Sequence, residues 1–246
     1  MIRLIVNIDD FGMSLGINRG IIECLKFGIV KSTTIMVRMP YAENAVKLAK
    51  ENGFTFFGVH LDLTEGHPLI PRRSLLPIMV YLKRNRIDKA KKIINGLNLD
   101  LKSIEKELQS QVDWLLERGI TVTHLDSHHG IHGFPGINEI VLEIADSLKL
   151  PVRHWQMNGS LPQGIKGTDY FSEAFYGRKS TKKQFKKIVK SYNSCSLEIM
   201  SHAGHAKWSF NPRLPRRNKE LKILTDPELK RWLLQEKIEL IGYKEL

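Results

Sequence analysis

The stretch Ile120-Thr-Val-Thr-His-Leu-Asp-Ser-His-His-Gly-Ile-His132 decides how this chain is read. It opens on β-branched residues, which favour an extended, half-buried strand. It then turns polar and packs four of the chain's nine histidines into nine residues, 124–132. Imidazole is the commonest protein metal ligand, and a carboxylate such as Asp126 among imidazoles supplies the partner that fixes their tautomers. A strand that runs into such a loop belongs to folds of alternating strands and helices, which keep their chemistry at strand ends. A polar surface loop rich in histidine is the other reading of these residues alone.

Working outward, the same ending recurs. Residues 3–8 form a short apolar run that ends at Asp9-Asp10. Residues 32–39 read as a second strand, and 55–61 as a third that carries His60 and meets Asp62. The fourth is 120–125, a short fifth is 152–155, a sixth at 196–201 is followed by His202, and 238–243 closes the set. Between them the spacing predicts helices. One carries Ile17, Ile21, Ile22 and Leu25 on one face, and others span about 45–50, 102–118, 137–147 and 182–192. A last helix opens at Thr225-Asp-Pro-Glu228, with proline in its first turn and Glu228 placed for a capping box. Residues 62–101, with Gly66, Pro68, Pro71 and Pro77, break the rhythm and read as an insertion over one face. About seven strands separated by helices predict one α/β domain over 1–246, a parallel sheet that is either barrel-like or doubly wound.

Bulk properties narrow the function classes. Two cysteines, Cys24 and Cys195, are too few for a disulfide framework or a thiolate metal site, and the first residues lack the pattern of a signal peptide. A cytoplasmic protein is the expectation. No stretch approaches the ~20 consecutive apolar residues of a membrane helix, so no membrane partner is expected. The net charge of +12 is spread over several basic clusters and forms no nucleic-acid motif, so no nucleic-acid partner is expected.

In a parallel sheet the carboxyl ends of the strands share one face, so Asp9-Asp10, His60, Asp62, His124–His132 and His202 converge there. One carboxylate of the aspartate pair suits a cation and its neighbour stays free as a base, although Asp-Asp taken alone reads rather as a cap or turn before the first helix. With His60 and His128 the pair offers a two-histidine, one-carboxylate set, the pattern of a catalytic metal site with open positions. The same set could hold iron for an oxygenase, but nothing in the sequence discriminates for it. Gly-x-Gly-x-x-Gly after a strand, a Walker-type loop and Gly-x-Ser-x-Gly are all missing.

At these residues the chain resembles the YdjC/ChbG family of carbohydrate deacetylases, which includes chitooligosaccharide deacetylases. The resemblance rests on Ile5-Val-Asn-Ile-Asp-Asp-Phe-Gly-Met-Ser14, Gly58-Val-His-Leu-Asp-Leu-Thr-Glu-Gly66 and Thr123-His-Leu-Asp-Ser-His-His129. Phe171-Ser-Glu-Ala-Phe-Tyr-Gly177 and Leu197-Glu-Ile-Met-Ser-His202 continue it in order. The resemblance implies a distorted (β/α) barrel. It also implies that Asp10, His60 and His128 hold a divalent cation, magnesium or zinc. Asp9 would be the general base and His202 the general acid or electrostatic partner of the departing amine. The implied substrate is a small N-acetylated carbohydrate, cleaved to acetate and an amino sugar. Two departures stand out: His128-His129-Gly130 replaces a run of three histidines, and His202-Ala203 replaces His-Pro. The first leaves the roles of His129 and His132 open. Asp126 is a candidate to orient a ligating histidine, and Phe175, Tyr176 and Trp208 are aromatic candidates for a sugar face. A hydrolase of a phosphorylated or non-sugar substrate, and a polyanion binder, are the competing classes. A homodimer is expected only from the commonness of twofold association.

Overall fold

In β1 (Arg3–Phe11), Leu4, Val6 and Ile8 join the main hydrophobic core, while Ile5, Asn7 and Asp9 point the other way. Alternation of this kind is unusual for a parallel strand, which is normally apolar on both faces. It is the first sign that the sheet encloses something polar. The computed structural model of the chain describes residues 1–71, 75, 100–154, 161–205 and 215–246.

The other strands are β2 (Ser32–Ile35), β3 (Phe56–Leu61), β4 (Thr121–Ser127), β5 (Tyr170–Ser172), β6 (Ser196–Ser201) and β7 (Glu239–Ile241). All pairings are parallel, in the order β4-β3-β2-β1-β6-β5, with β7 also on β1. Residues 151–153 lie along β4, where Leu125 N–H donates to Pro151 and Arg153 N–H returns to Leu125, both at 2.9 Å. The sheet is strongly curled. Arg153 reaches Asp9 on β1, Asp126 on β4 and Glu198 on β6, although β3 and β2 separate β4 from β1 in the strand order. The architecture is a distorted α/β barrel with a polar interior.

Helices cover the outside. α1 (Leu15–Phe27) is capped by Ser14, whose side chain accepts from Ile17 N–H, and it buries Ile17, Ile21, Ile22 and Cys24. α2 (Ala42–Glu51), α3 (Leu101–Glu117), α4 (Ile137–Leu148) and α5 (Lys182–Lys190) follow, then α6 (Pro215–Leu224) and α7 (Pro227–Gln235). No helix among the described residues is long and apolar enough to cross a membrane.

Three details differ from the sequence reading. Between the sixth strand and Thr225, where the spacing predicts no helix, lies α6. The fifth strand is Tyr170–Ser172, and Val152 makes only an isolated bridge. The cap of α7 is Asp226, and Glu228 pairs with Lys182 instead of closing a box. Most of the expected insertion, residues 72–74 and 76–99, lies outside the described residues, as do Trp155 and Trp208.

Candidate metal centre and active site

Adjacent residues of a regular strand face opposite sides of a sheet, so Asp9 and Asp10 on an unbroken β1 would point apart. The backbone solves this locally. Between Ile8↔Thr33 and Phe11↔Ile35, β1 uses three steps where β2 uses two, and Asp10 adopts φ 72°. This is a β-bulge, a device that re-aims side chains, and aspartate is among the few non-glycine residues that tolerate the left-handed region. Both carboxylates consequently serve the same end of the barrel.

Asp10 is 1% exposed and divides its two oxygens. Oδ1 lies 3.4 Å from His60 Nε2 and 3.2 Å from His128 Nδ1, yet no donor is aligned on it. Oδ2 receives Arg217 Nη2 and lies 4.0 Å from His202 Nε2. Burial by itself would raise the Asp10 carboxyl; Arg217, with His128 and His60 behind it, instead holds it well below the carboxylate range. His60 is turned by Asp126, whose Oδ1 is 2.8 Å from Nδ1, which leaves Nε2 facing Asp10. His60 loses basicity to burial, but Asp126 and Asp9 more than restore it and raise its pKa. Ligating atoms of Asp10, His60 and His128 all lie within 4.8 Å of one another. A buried carboxylate oxygen without an aligned donor, between two imidazole nitrogens, fits a divalent cation: one carboxylate oxygen and two imidazole nitrogens from the protein, other positions open.

Asp9 sits one residue away in a different environment. Arg153 grips it from both nitrogens, Nη1 to Oδ2 at 2.9 Å and Nη2 to Oδ1 at 2.7 Å, and Asn7 Nδ2 donates to Oδ1 at 2.9 Å. Arg153 also bonds Asp126 at 2.9 Å and Glu198 at 2.9 Å from Nε, and Tyr243 hydroxyl closes the chain on Glu198 at 2.6 Å. Burial opposes the charge on Arg153, but Asp126, Asp9 and Glu198 outweigh it and raise its pKa further. Burial raises Glu198 despite Arg153.

His202 is displayed at the end of β6. Its backbone N–H donates to Glu220 at 2.6 Å, and its ring lies 4.9 Å from the Tyr176 ring. Burial lowers its pKa to about 4, so the imidazole is neutral at neutral pH. The Ala203-Gly204 that replaces proline is pinned differently. A Cβ on Gly20 of α1 would stand 2.6 Å from Gly204 Cα, so two glycines allow a backbone-to-backbone crossing there.

The remaining histidines of the run separate by environment. His129, at φ 59°, tilts against His128 with ring centroids 3.9 Å apart, and burial takes its pKa to about 4. His132 is buried on Ser127, and His124 stacks on Tyr243 at 3.7 Å. Phe175 is fully buried against Phe185, whereas Tyr176 is 47% exposed beside His202. Residue-by-residue reading missed Arg153, Glu198, Arg217 and Glu220. In a chain with 38 Lys and Arg, a single arginine carries no signal of its own.

The chain matches the YdjC-like protein family over residues 3–235. A protein named carbohydrate deacetylase from Brevibacillus brevis is 37% identical over 99% of this chain and 99% of its own length. Another of that name from Clostridium beijerinckii is 37% identical over 99% and 100%. A crystal structure from Enterococcus faecalis V583, described as a cellobiose-phosphate cleavage protein, superposes with a TM-score of 0.83 at 25% identity, covering 99% of this chain and 98% of that one. With its barrel, its paired aspartates and its five ordered motifs, this chain belongs to the YdjC-like family.

Proposed function

We propose that this chain is a metal-dependent carbohydrate N-deacetylase acting on N-acetylglucosamine-containing sugars, including chitooligosaccharides. The observation that carries the reading is the bulge at Asp10. It sets a donor-poor carboxylate oxygen between His60 and His128, beside a second carboxylate, Asp9, that has a different counter-ion. The names of the relatives supply the substrate class.

Asp10, His60 and His128 would hold the cation, magnesium or zinc, which when bound polarises the acetyl carbonyl and lowers the pKa of water. Asp126 holds the His60 tautomer for that task. Asp9 takes the proton from the attacking water. Its carboxylate has lone pairs left beyond those used by Arg153 and Asn7, and the two-nitrogen grip fixes its plane. The same proton then passes to the departing nitrogen as the C–N bond breaks, giving acetate and a free amine. His202, neutral at neutral pH, acts as a hydrogen-bonding partner of the amine rather than as a standing acid. Exposed Tyr176 next to it offers a ring face to the sugar.

A second reading, hydrolysis of a phosphorylated sugar, is favoured by Arg217. Its Nη1 is buried without a hydrogen-bond partner beside Asp10, and the Enterococcus protein's description names a sugar phosphate. The test is acetate release from N-acetylglucosamine, diacetylchitobiose and their phosphorylated forms, with chelator and metal add-back. Acetate restored by metal is expected, and Asp9→Asn should abolish it while metal binding persists. Metal-independent turnover, or an active Asp9→Asn, would overturn the assignment.

A further inference from the structure

α6 contributes two side chains, one turn apart, to opposite parts of the site. Arg217 meets Oδ2 of Asp10, and Glu220 turns to the segments behind it. Glu220 is 1% exposed, and both of its oxygens are engaged. Oε2 accepts the His202 backbone N–H at 2.6 Å, and Oε1 accepts the Ser180 hydroxyl at 2.8 Å. Ser180 follows the short turn Gly177–Lys179, which begins immediately after Tyr176. One carboxylate thus ties the residue after β6 to the turn after Tyr176, and the two rings so anchored lie 4.9 Å apart. The Gly204 N–H also reaches Arg217 carbonyl, so the loop beyond His202 is fastened to the same helix turn.

We propose that Glu220 is a positioning residue that sets the His202 and Tyr176 rings against each other above the outer oxygen of Asp10. Where His202-Ala203 lacks the stiffness of proline, a charge-assisted bond from Glu220 to the His202 backbone does the fixing. Glu220 touches neither substrate nor cation. The inference rests on the deacetylase reading for its kinetic consequence but not for its geometric one.

The test compares Glu220→Ala with Glu220→Gln. Glutamine keeps the shape, its carbonyl accepting from His202 and its amide donating to a reoriented Ser180 hydroxyl. Proton NMR reads the ring pair directly through the nuclear Overhauser contact between His202 and Tyr176. The contact is expected in the parent and in Glu220→Gln, and lost in Glu220→Ala. Magnesium or zinc affinity, measured by calorimetry, should stay within about threefold in both, because the three ligands are untouched. Turnover in Glu220→Ala should fall by about 100-fold in kcat, the scale expected for a displaced catalytic group, with a smaller rise in KM from the displaced Tyr176 ring. An intact ring contact with parental kcat in Glu220→Ala overturns the proposal. Should that variant fail to fold, Glu220→Asp shortens the side chain by one methylene and draws the carboxylate back from the His202 N–H, and an undiminished contact there overturns it equally. A parent that releases no acetate refutes the deacetylase reading, while the ring contact still decides the role of Glu220.

Discussion

Replacing Arg153 by methionine should cost more than any other single change in the barrel interior. The side chain is 1% exposed and is the shared counter-ion of Asp9, Asp126 and Glu198, with bonds of 2.7–2.9 Å to all three. Breaking a buried ion pair from one side typically costs about 3–5 kcal/mol, because the stranded charge stays buried. Methionine keeps much of the volume, so the loss is electrostatic and not a cavity effect. For a chain of this length about 2–4 °C of Tm is lost per kcal/mol, which puts the shift at about 6–20 °C. The pH dependence gives the cause away. Without the guanidinium the stranded carboxyls have folded-state pKa values above their unfolded ones, so the variant regains stability as pH falls and loses it as pH rises. Glu198, which burial already raises, should take up a proton first. Urea unfolding of the parent and Arg153→Met at pH 7 and pH 5.5 is the assay, and the gap between them should narrow at the lower pH. Adding Glu198→Gln to the variant should recover part of the loss, since the two residues are in contact. A loss below about 1 kcal/mol, or a gap that widens in acid, would refute the counter-ion argument.

Other consequences are quicker to check. A Cβ at Gly58 would lie 2.3 Å from His124 Cε1 and 2.5 Å from Thr34 Cγ2, so Gly58→Ala should lower the urea midpoint by overpacking worth about 1–3 kcal/mol, with the m-value unchanged. Burial lowers His124 to about 3 and His132 to about 4, whereas both titrate near 6.5 when unfolded. Their stability contribution is therefore complete above about pH 6.5 and drains away in acid, at about 1.4 kcal/mol per pH unit for each histidine. His124→Phe, which retains the stack on Tyr243, should remove one histidine's share of that slope between pH 6 and pH 4; an unaltered slope would count against it. Added magnesium or zinc should raise the melting temperature, by the equivalent of about 2.7 kcal/mol at a hundred times Kd, and Asp10→Ala should abolish the rise in differential scanning fluorimetry.

Strand ends were the legible part of this chain. The runs that became β1, β3, β4 and β6 announce themselves because each carries apolar or β-branched residues and meets Asp, His or both at its end. α6 was hidden because Pro-Arg-Arg-Asn-Lys-Glu-Leu-Lys-Ile-Leu gathers Leu221, Ile223 and Leu224 in its last turn, too short a run to show a helical repeat. β5 was hidden because three residues, Tyr170–Ser172, are too few to show alternation. Within the site, Asp10, His60 and His128 could be named, but the bulge that lets neighbouring aspartates share one pocket is a backbone event with no compositional trace. Arg153 and Glu220 escaped for a related reason. Each does its work through partners far along the chain, 144 residues from Asp9 in one case and 18 from His202 in the other.

The segment that delivers Arg153 also covers an edge of the sheet. β4 ends the named strand order, and its outward backbone would otherwise be an open template for a strand from another molecule. Residues 151–153 lie along it, taking the Leu125 N–H and returning one to its carbonyl, while Arg153 anchors the segment from inside the barrel. Loosening that anchor would bare a hydrogen-bonding edge as well as stranding charge. Self-association would then accompany the loss of turnover expected once Asp9 is no longer held in its plane.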